Sequence, residues 1–282
     1  MPARAPYACM TKALDQLPMM SQPTRRGLAA FAGGSVVGAL GGLIGLGGAE
    51  FRLPLLIGPF GFAALQAVIV NKAMSLVVVT SALPFRAATV PFPVIAAHWP
   101  IIVNLLAGSL LGAWFGAEWA TRLSSRHLYR IIAALLVVIA VVLFFEHGAN
   151  ATTAMLSGPL QTLAGVIAGF AIGVVASLLG VAGGELLIPT LVLLFGVDIK
   201  IAGSLSLAVS LPTMLVGFAR YSRDQSFTVL CDNIGFVVVM AAGSVFGSFL
   251  GGQMLGIVPA VILIPLLAVI LLLSAAKVWR HS

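Results

Sequence analysis

The chain has 282 residues, of which 60% are hydrophobic and only 8% are charged, and it carries a net charge of +7. Soluble domains carry about 25% charged residues, so this composition sets aside a water-soluble fold and indicates an all-α, polytopic transmembrane helical bundle. The positive charge does not indicate nucleic acid, because the arginines and lysines lie mostly between apolar runs, where the cytoplasmic bias of membrane proteins puts them.

Residues 1–24 lack the apolar core of a signal peptide and read as a disordered cytoplasmic tail. Apolar runs follow at 28–46, 50–62, 64–85, 97–120 and 128–146, and again at 160–180, 184–197, 200–219, 228–250 and 257–278. Most are close to the roughly 20 residues that cross a hydrocarbon core. The polar stretch 147–159 reads as a linker between one transmembrane repeat at 25–146 and a second at 160–282. Cys9 and Cys231 form neither a disulfide framework nor a metal-ligand spacing.

The two halves align without a gap at an offset of 135, and 12 of the 46 positions from 41 to 86 are identical, which indicates a duplication. Gly34 and Gly38 match Gly169 and Gly173; Gly108, Gly112 and Gly116 match Gly243, Gly247 and Gly251. Glycine at every fourth residue makes a smooth helix face that lets backbones approach, so these positions are assigned to helix packing. Five crossings per half would invert the second repeat relative to the first. That arrangement puts both termini, Arg25, Arg26, Arg122, Arg126, Arg130, Arg220, Arg223, Lys277 and Arg280 on the cytoplasmic side, and Arg86 outside. Re-entrant short segments would instead make the halves parallel and move Arg122, Arg126 and Arg130 outside. The inverted arrangement gives the stronger asymmetry and is preferred.

Each half is interrupted once, at Gly45-Leu46-Gly47-Gly48-Ala49-Glu50 before Pro54 and at Gly180-Val181-Ala182-Gly183-Gly184-Glu185 before Pro189. A helix over 184–197 would reach roughly 21 Å at 1.5 Å per residue, too short to span comfortably. Short segments broken by glycine and proline, at matching places in two repeats, point to a transporter binding site built from discontinuous helices. Gly45, Gly47, Gly48, Gly180, Gly183 and Gly184 let a ligand approach the main chain, with Pro54 and Pro189 as helix breakers. The new helix after each break offers unpaired N–H groups and a positive dipole end to an anion.

Glu50 and Glu185 leave three readings open. They are helix N-terminal carboxylates paired with Arg52, Lys72 or Lys200, or proton carriers, or ligands of a cation or metal. The third segment of each half adds Asn71, Lys72 and Ser75, and Ser204, Ser206 and Ser210. Lys72 aligns with Leu207 and breaks the symmetry. A lysine inside an apolar run binds an anion, pairs with a carboxylate such as Glu50, or snorkels. The serines can also bond back to their own helix. No catalytic constellation, nucleotide loop or cofactor motif is present, so the chain does not read as an enzyme.

The duplicated glycine break with its proline, followed by an alanine- and serine-rich helix that includes Ala202-Gly203-Ser204, resembles the TauE/SafE family of sulfite exporters over residues 28–278. Ala49 and Ala182 stand where that family often has a further glycine, and Glu50 and Glu185 where an apolar residue is usual. The resemblance implies a bacterial inner-membrane permease for small anions such as sulfite or organosulfonates. Together with the carboxylates, it leads to the expectation of a secondary transporter, exporting a small anion in proton-coupled fashion through Glu50 and Glu185. A cation or metal permease using the same two glutamates is the alternative.

Overall fold

A computed structural model describes residues 25–44, 48–89, 91–145, 156–253 and 260–280. The tail 1–24, most of the linker 147–159, and Gly45 and Gly47 of the first break lie outside the described residues. The first half contains α1 (Arg25–Ile44), α2 (Ala49–Ile57), α3 (Ala64–Thr89), the short α4 (Phe92–Ala97), α5 (Trp99–Arg122) and α6 (Ser125–Phe145). The second contains α7 (Pro159–Leu179), α8 (Gly184–Phe195), α9 (Ile199–Tyr221), the short α10 (Thr228–Asp232), α11 (Ile234–Gln253) and α12 (Ala260–Trp279). No strand occurs among the described residues. Helix satisfies every main-chain donor and acceptor within one segment, which a hydrocarbon environment demands.

Five of these helices are long and apolar enough to cross a membrane: α3 over Ala64–Ser81, α5, α7, α9 over Ile201–Tyr221 and α11 over Ile234–Gly251. Their outer faces carry large exposed apolar side chains, among them Leu111, Phe115, Leu163 and Ile167. The chain is therefore a multi-pass helical membrane protein. In lipid, apolar burial supplies little drive for helices to associate, and close packing takes over.

The glycine rows provide that packing. On the seam between α1 and α11, a Cβ added at Gly38 would lie 2.2 Å from the Ser244 carbonyl oxygen, and one at Gly247 would lie 2.0 Å from that of Ser35. On the seam between α5 and α7, a Cβ at Gly173 would meet the Ser109 carbonyl at 2.3 Å, and one at Gly112 that of Phe170 at 2.1 Å. These are the same contacts shifted by 135 residues, with the partner halves exchanged. Along both seams the contact numbers rise together, from Gly108 on Val166 to Gly116 on Val174 and from Gly243 on Phe31 to Gly251 on Ala39. Within each seam the two helices thus run parallel. The sequence assignment of these glycines to helix packing agrees with this geometry.

Other contacts tie the seams into one body. Ser109 and Thr213 share a 2.7 Å hydrogen bond between α5 and α9. Near the ends of the same two helices, Arg220 pairs with Glu118, which also holds Arg122. Helices α6 and α12 pack on each other, and α3 packs on α9. The main core, containing Leu53, Leu56, Ile69, Met74, Leu136 and Ile139, draws on both halves.

Candidate functional site

Glycine makes both interruptions. Helix α1 ends at Ile44, and α2 starts after Gly48, whose φ of 67° and ψ of 22° are left-handed. Helix α7 ends at left-handed Gly180 (φ 66°), and α8 starts after left-handed Gly183 (φ 80°). A residue with a Cβ is strained in that region, whereas glycine is not. Space is tight as well: a Cβ at Gly48 would fall 2.4 Å from the Val37 carbonyl oxygen, and one at Gly180 2.3 Å from that of Val68. The left-handed turns that follow α2 and α8, at Gly61 and Gly196, are also 135 residues apart.

Pro54 and Pro189 do not terminate a helix; each sits inside its short helix, α2 or α8. A helical N–H bonds the carbonyl four residues back, and proline has no N–H. The prolines therefore leave the carbonyls of Glu50 and Glu185 without their helical donors, so backbone acceptors are freed beside the same two carboxyl groups.

The structure brings the two breaks together, and Asn71 of α3 is the link. Its Nδ2 donates to the carbonyl of Ala49 in the first break at 3.0 Å and to that of Leu179 in the second at 3.1 Å. One turn along α3, Ser75 Oγ donates to the Gly180 carbonyl at 3.3 Å. Asn71 and Ser75 also accept long contacts of 3.4 Å from Nη1 of Arg52. All three side chains are buried.

Glu50 and Glu185, one from each half, are both buried in the first turns of α2 and α8. Among the described residues no side-chain donor reaches any of their four oxygens, and their own main-chain N–H groups form no hydrogen bond of ordinary geometry with them. Arg52 lies beside them without an ion pair among the described residues. Its Nε and Nη2 are buried and have no hydrogen-bond partner among the described residues. Those two nitrogens form one edge of the guanidinium fork, the edge suited to two oxygens of a single oxyanion. Among the described residues Ser204 Oγ and Ser210 Oγ on α9 are likewise buried without partners, whereas Ser206 Oγ donates locally to the Gly203 carbonyl at 2.9 Å.

Lys72 takes a different part from its neighbours on α3. Its Nζ donates to the Ala176 carbonyl at 3.1 Å in the last turn of α7 instead of pairing with Glu50. Tyr221 donates to the next carbonyl, Ser177, at 2.9 Å. The Ala176 carbonyl already accepts the Val181 main-chain N–H at 3.0 Å, so the lysine adds a second donor there and opposes the negative end of the helix dipole. Gly183 and Gly184 lie at the start of α8, buried near the centre.

Sequence reasoning named Arg52 only as a partner for Glu50. The signal that singled out Lys72 was available for Arg52 too, since position 52 aligns with Leu187. Both basic residues near the breaks thus belong to the first half and have leucines as counterparts.

The class defined by these features is a multi-pass helical membrane protein with two interrupted helices meeting at one buried polar centre. The comparison with protein families matches residues 21–278 to the family described as sulfite exporter TauE/SafE. The chain belongs to that family, and is accordingly a membrane transporter for a sulfite-type anion. Comparison with curated proteins and with solved structures gave no match.

Proposed function

We propose that the chain is a secondary transporter that exports sulfite, or a comparably small sulfur oxyanion, across the bacterial inner membrane in proton-coupled fashion. The observation that carries this reading is the free Nε–Nη2 edge of buried Arg52 at the meeting point of the two breaks. A buried guanidinium with unused donors costs several kcal/mol, and an oxyanion that accepts from both nitrogens offsets that cost. Main-chain N–H groups at the very start of α2 and α8, at Ala49, Glu50, Gly184 and Glu185, are further candidate donors for the remaining oxygens.

Proton coupling is supported by the buried carboxyl groups of Glu50 and Glu185, which have no hydrogen-bond partner among the described residues. A carboxyl group buried at membrane depth without a partner is the usual form of a proton-carrying site. Binding an anion beside Arg52 and loading a proton on this pair are then electrostatically linked. A cation permease using the same glutamates is disfavoured, because the Arg52 guanidinium would repel a metal ion bound between them.

Alternating access between inverted repeats completes the reading. It is supported by the exchange of partner halves at the two glycine seams and by the parallel runs of α1 with α11 and of α5 with α7. Helix α9 is joined to α11 by a 3-10 turn (Gln225–Phe227) and α10, a short connection that suits successive helices running in opposite directions. The residues that bridge the halves at the centre, Asn71 and Ser75, are those whose bonds would exchange as one half moves against the other. Flux of radiolabelled sulfite into proteoliposomes tests the proposal. Wild-type protein should carry sulfite and Arg52→Gln should not. Undiminished flux in Arg52→Gln would show that the anion binds elsewhere.

A further inference from the structure

The seam between α6 and α12 is unlike the two glycine seams, because it is open to the outside. A groove of ≈ 260 Å³ runs along it, lined by Ala133, Ala134 and Val137 of α6 and by Leu272, Ala276 and Trp279 of α12. Its walls are almost wholly apolar and its floor is alanine, so methyl groups and not branched side chains set its depth. At one end the Arg130 guanidinium lies 5.9 Å from the centre of the Trp279 ring. Arg126, one turn earlier on α6, and Arg280, next to Trp279, are exposed at the same end. Among the described residues no carboxylate pairs with Arg126, Arg130 or Arg280. Three unneutralised guanidinium groups at the mouth of an apolar slot complement a molecule with an anionic head and a hydrocarbon tail.

We propose that this groove is a binding site for an anionic phospholipid of the cytoplasmic leaflet. One acyl chain lies along the alanine floor between α6 and α12, and the headgroup phosphate sits among Arg126, Arg130 and Arg280. Trp279 stands at the headgroup level, where tryptophan is favoured, and its stack on Arg130 holds that guanidinium at the mouth. Basic pockets between helices on the cytoplasmic side recognise lipid headgroups by this combination of charge and apolar depth. The site is separate from the transport centre, since its lining includes none of the residues at the helix breaks.

Native mass spectrometry of the whole protein, released from nanodiscs that contain equal amounts of phosphatidylglycerol and phosphatidylcholine, tests this. Wild-type protein should retain phosphatidylglycerol in preference. The triple variant Arg126→Gln, Arg130→Gln, Arg280→Gln should lose that preference on the order of a hundredfold, as expected for three basic residues near an anionic headgroup. Ala134→Phe with Ala276→Phe, which fills the slot and keeps the charges, should lose bound lipid of both kinds. Equal retention of the two lipids by wild-type protein would overturn the proposal, as would unchanged preference in the triple variant. So would a dimer that dissociates on filling the groove, which would assign the groove to a second copy of the chain.

Discussion

The two helix breaks share a backbone and differ in chemistry. Both open a short helix after a left-handed glycine, both place a glutamate in its first turn and a proline four residues later, and both halves close their seams with glycines in register. Arg52, Asn71 and Lys72 of the first half, however, stand where the second has Leu187, Ser206 and Leu207. The two breaks thus share a backbone frame, and the cations beside them come from the first half. A symmetric frame suits a motion that must work facing either side of the membrane. A single buried guanidinium suits one small anion, which has no two-fold symmetry to match.

The sharpest way to break the comparison is at position 52. Arg52→Gln should lower sulfite flux in proteoliposomes on the order of a hundredfold, the value of charge-assisted hydrogen bonds lost to the anion. Leu187→Met, a volume-conserving change, should leave flux within about twofold because it costs under about 1.5 kcal/mol. The exchange Arg52→Leu with Leu187→Arg should not restore transport, since Ser206 bonds its own helix and offers no equivalent of Asn71. Recovery in that double variant would mean that the two breaks are chemically interchangeable.

The glutamates should behave in the opposite way, as equals. Glu50→Gln and Glu185→Gln should each abolish accumulation driven by a pH gradient, and the double variant should be no worse than either single one. Sulfite exchange without a gradient should persist in all three. Accumulation that survives in the double variant would remove these carboxyl groups from the coupling.

Smaller effects fall on stability and can be followed by thermal unfolding in detergent. Gly38→Ala and Gly173→Ala should each cost about 1–3 kcal/mol through overpacking against a main-chain carbonyl. Their costs should be similar, and a large difference would argue against equivalent seams. Asn71→Ala should also cost about 1–3 kcal/mol, because two buried carbonyls lose their donor. Ser206→Ala should cost less, about 1 kcal/mol or under, since only a local bond back to its own helix is removed.

Much of this was legible in the sequence. Composition gave the membrane class, because few charges and long apolar runs leave no water-soluble alternative. The offset of 135 gave the two breaks, and spacing of four gave the packing faces, because a helix puts such residues on one side whatever it later meets. These properties are local, or repeat along the chain, and the sequence by itself determined them. Only the tertiary structure decided which polar groups meet. Asn71 joins carbonyls at positions 49 and 179, Lys72 caps α7 at Ala176, and one edge of Arg52 stays free. Each of these depends on contacts between segments far apart in the chain. Asn71 and Lys72 are adjacent on one helix, yet the first reaches both breaks and the second reaches the end of α7. A step of one residue turns a helical side chain by about 100°, and what it then faces is set by how the two halves pack.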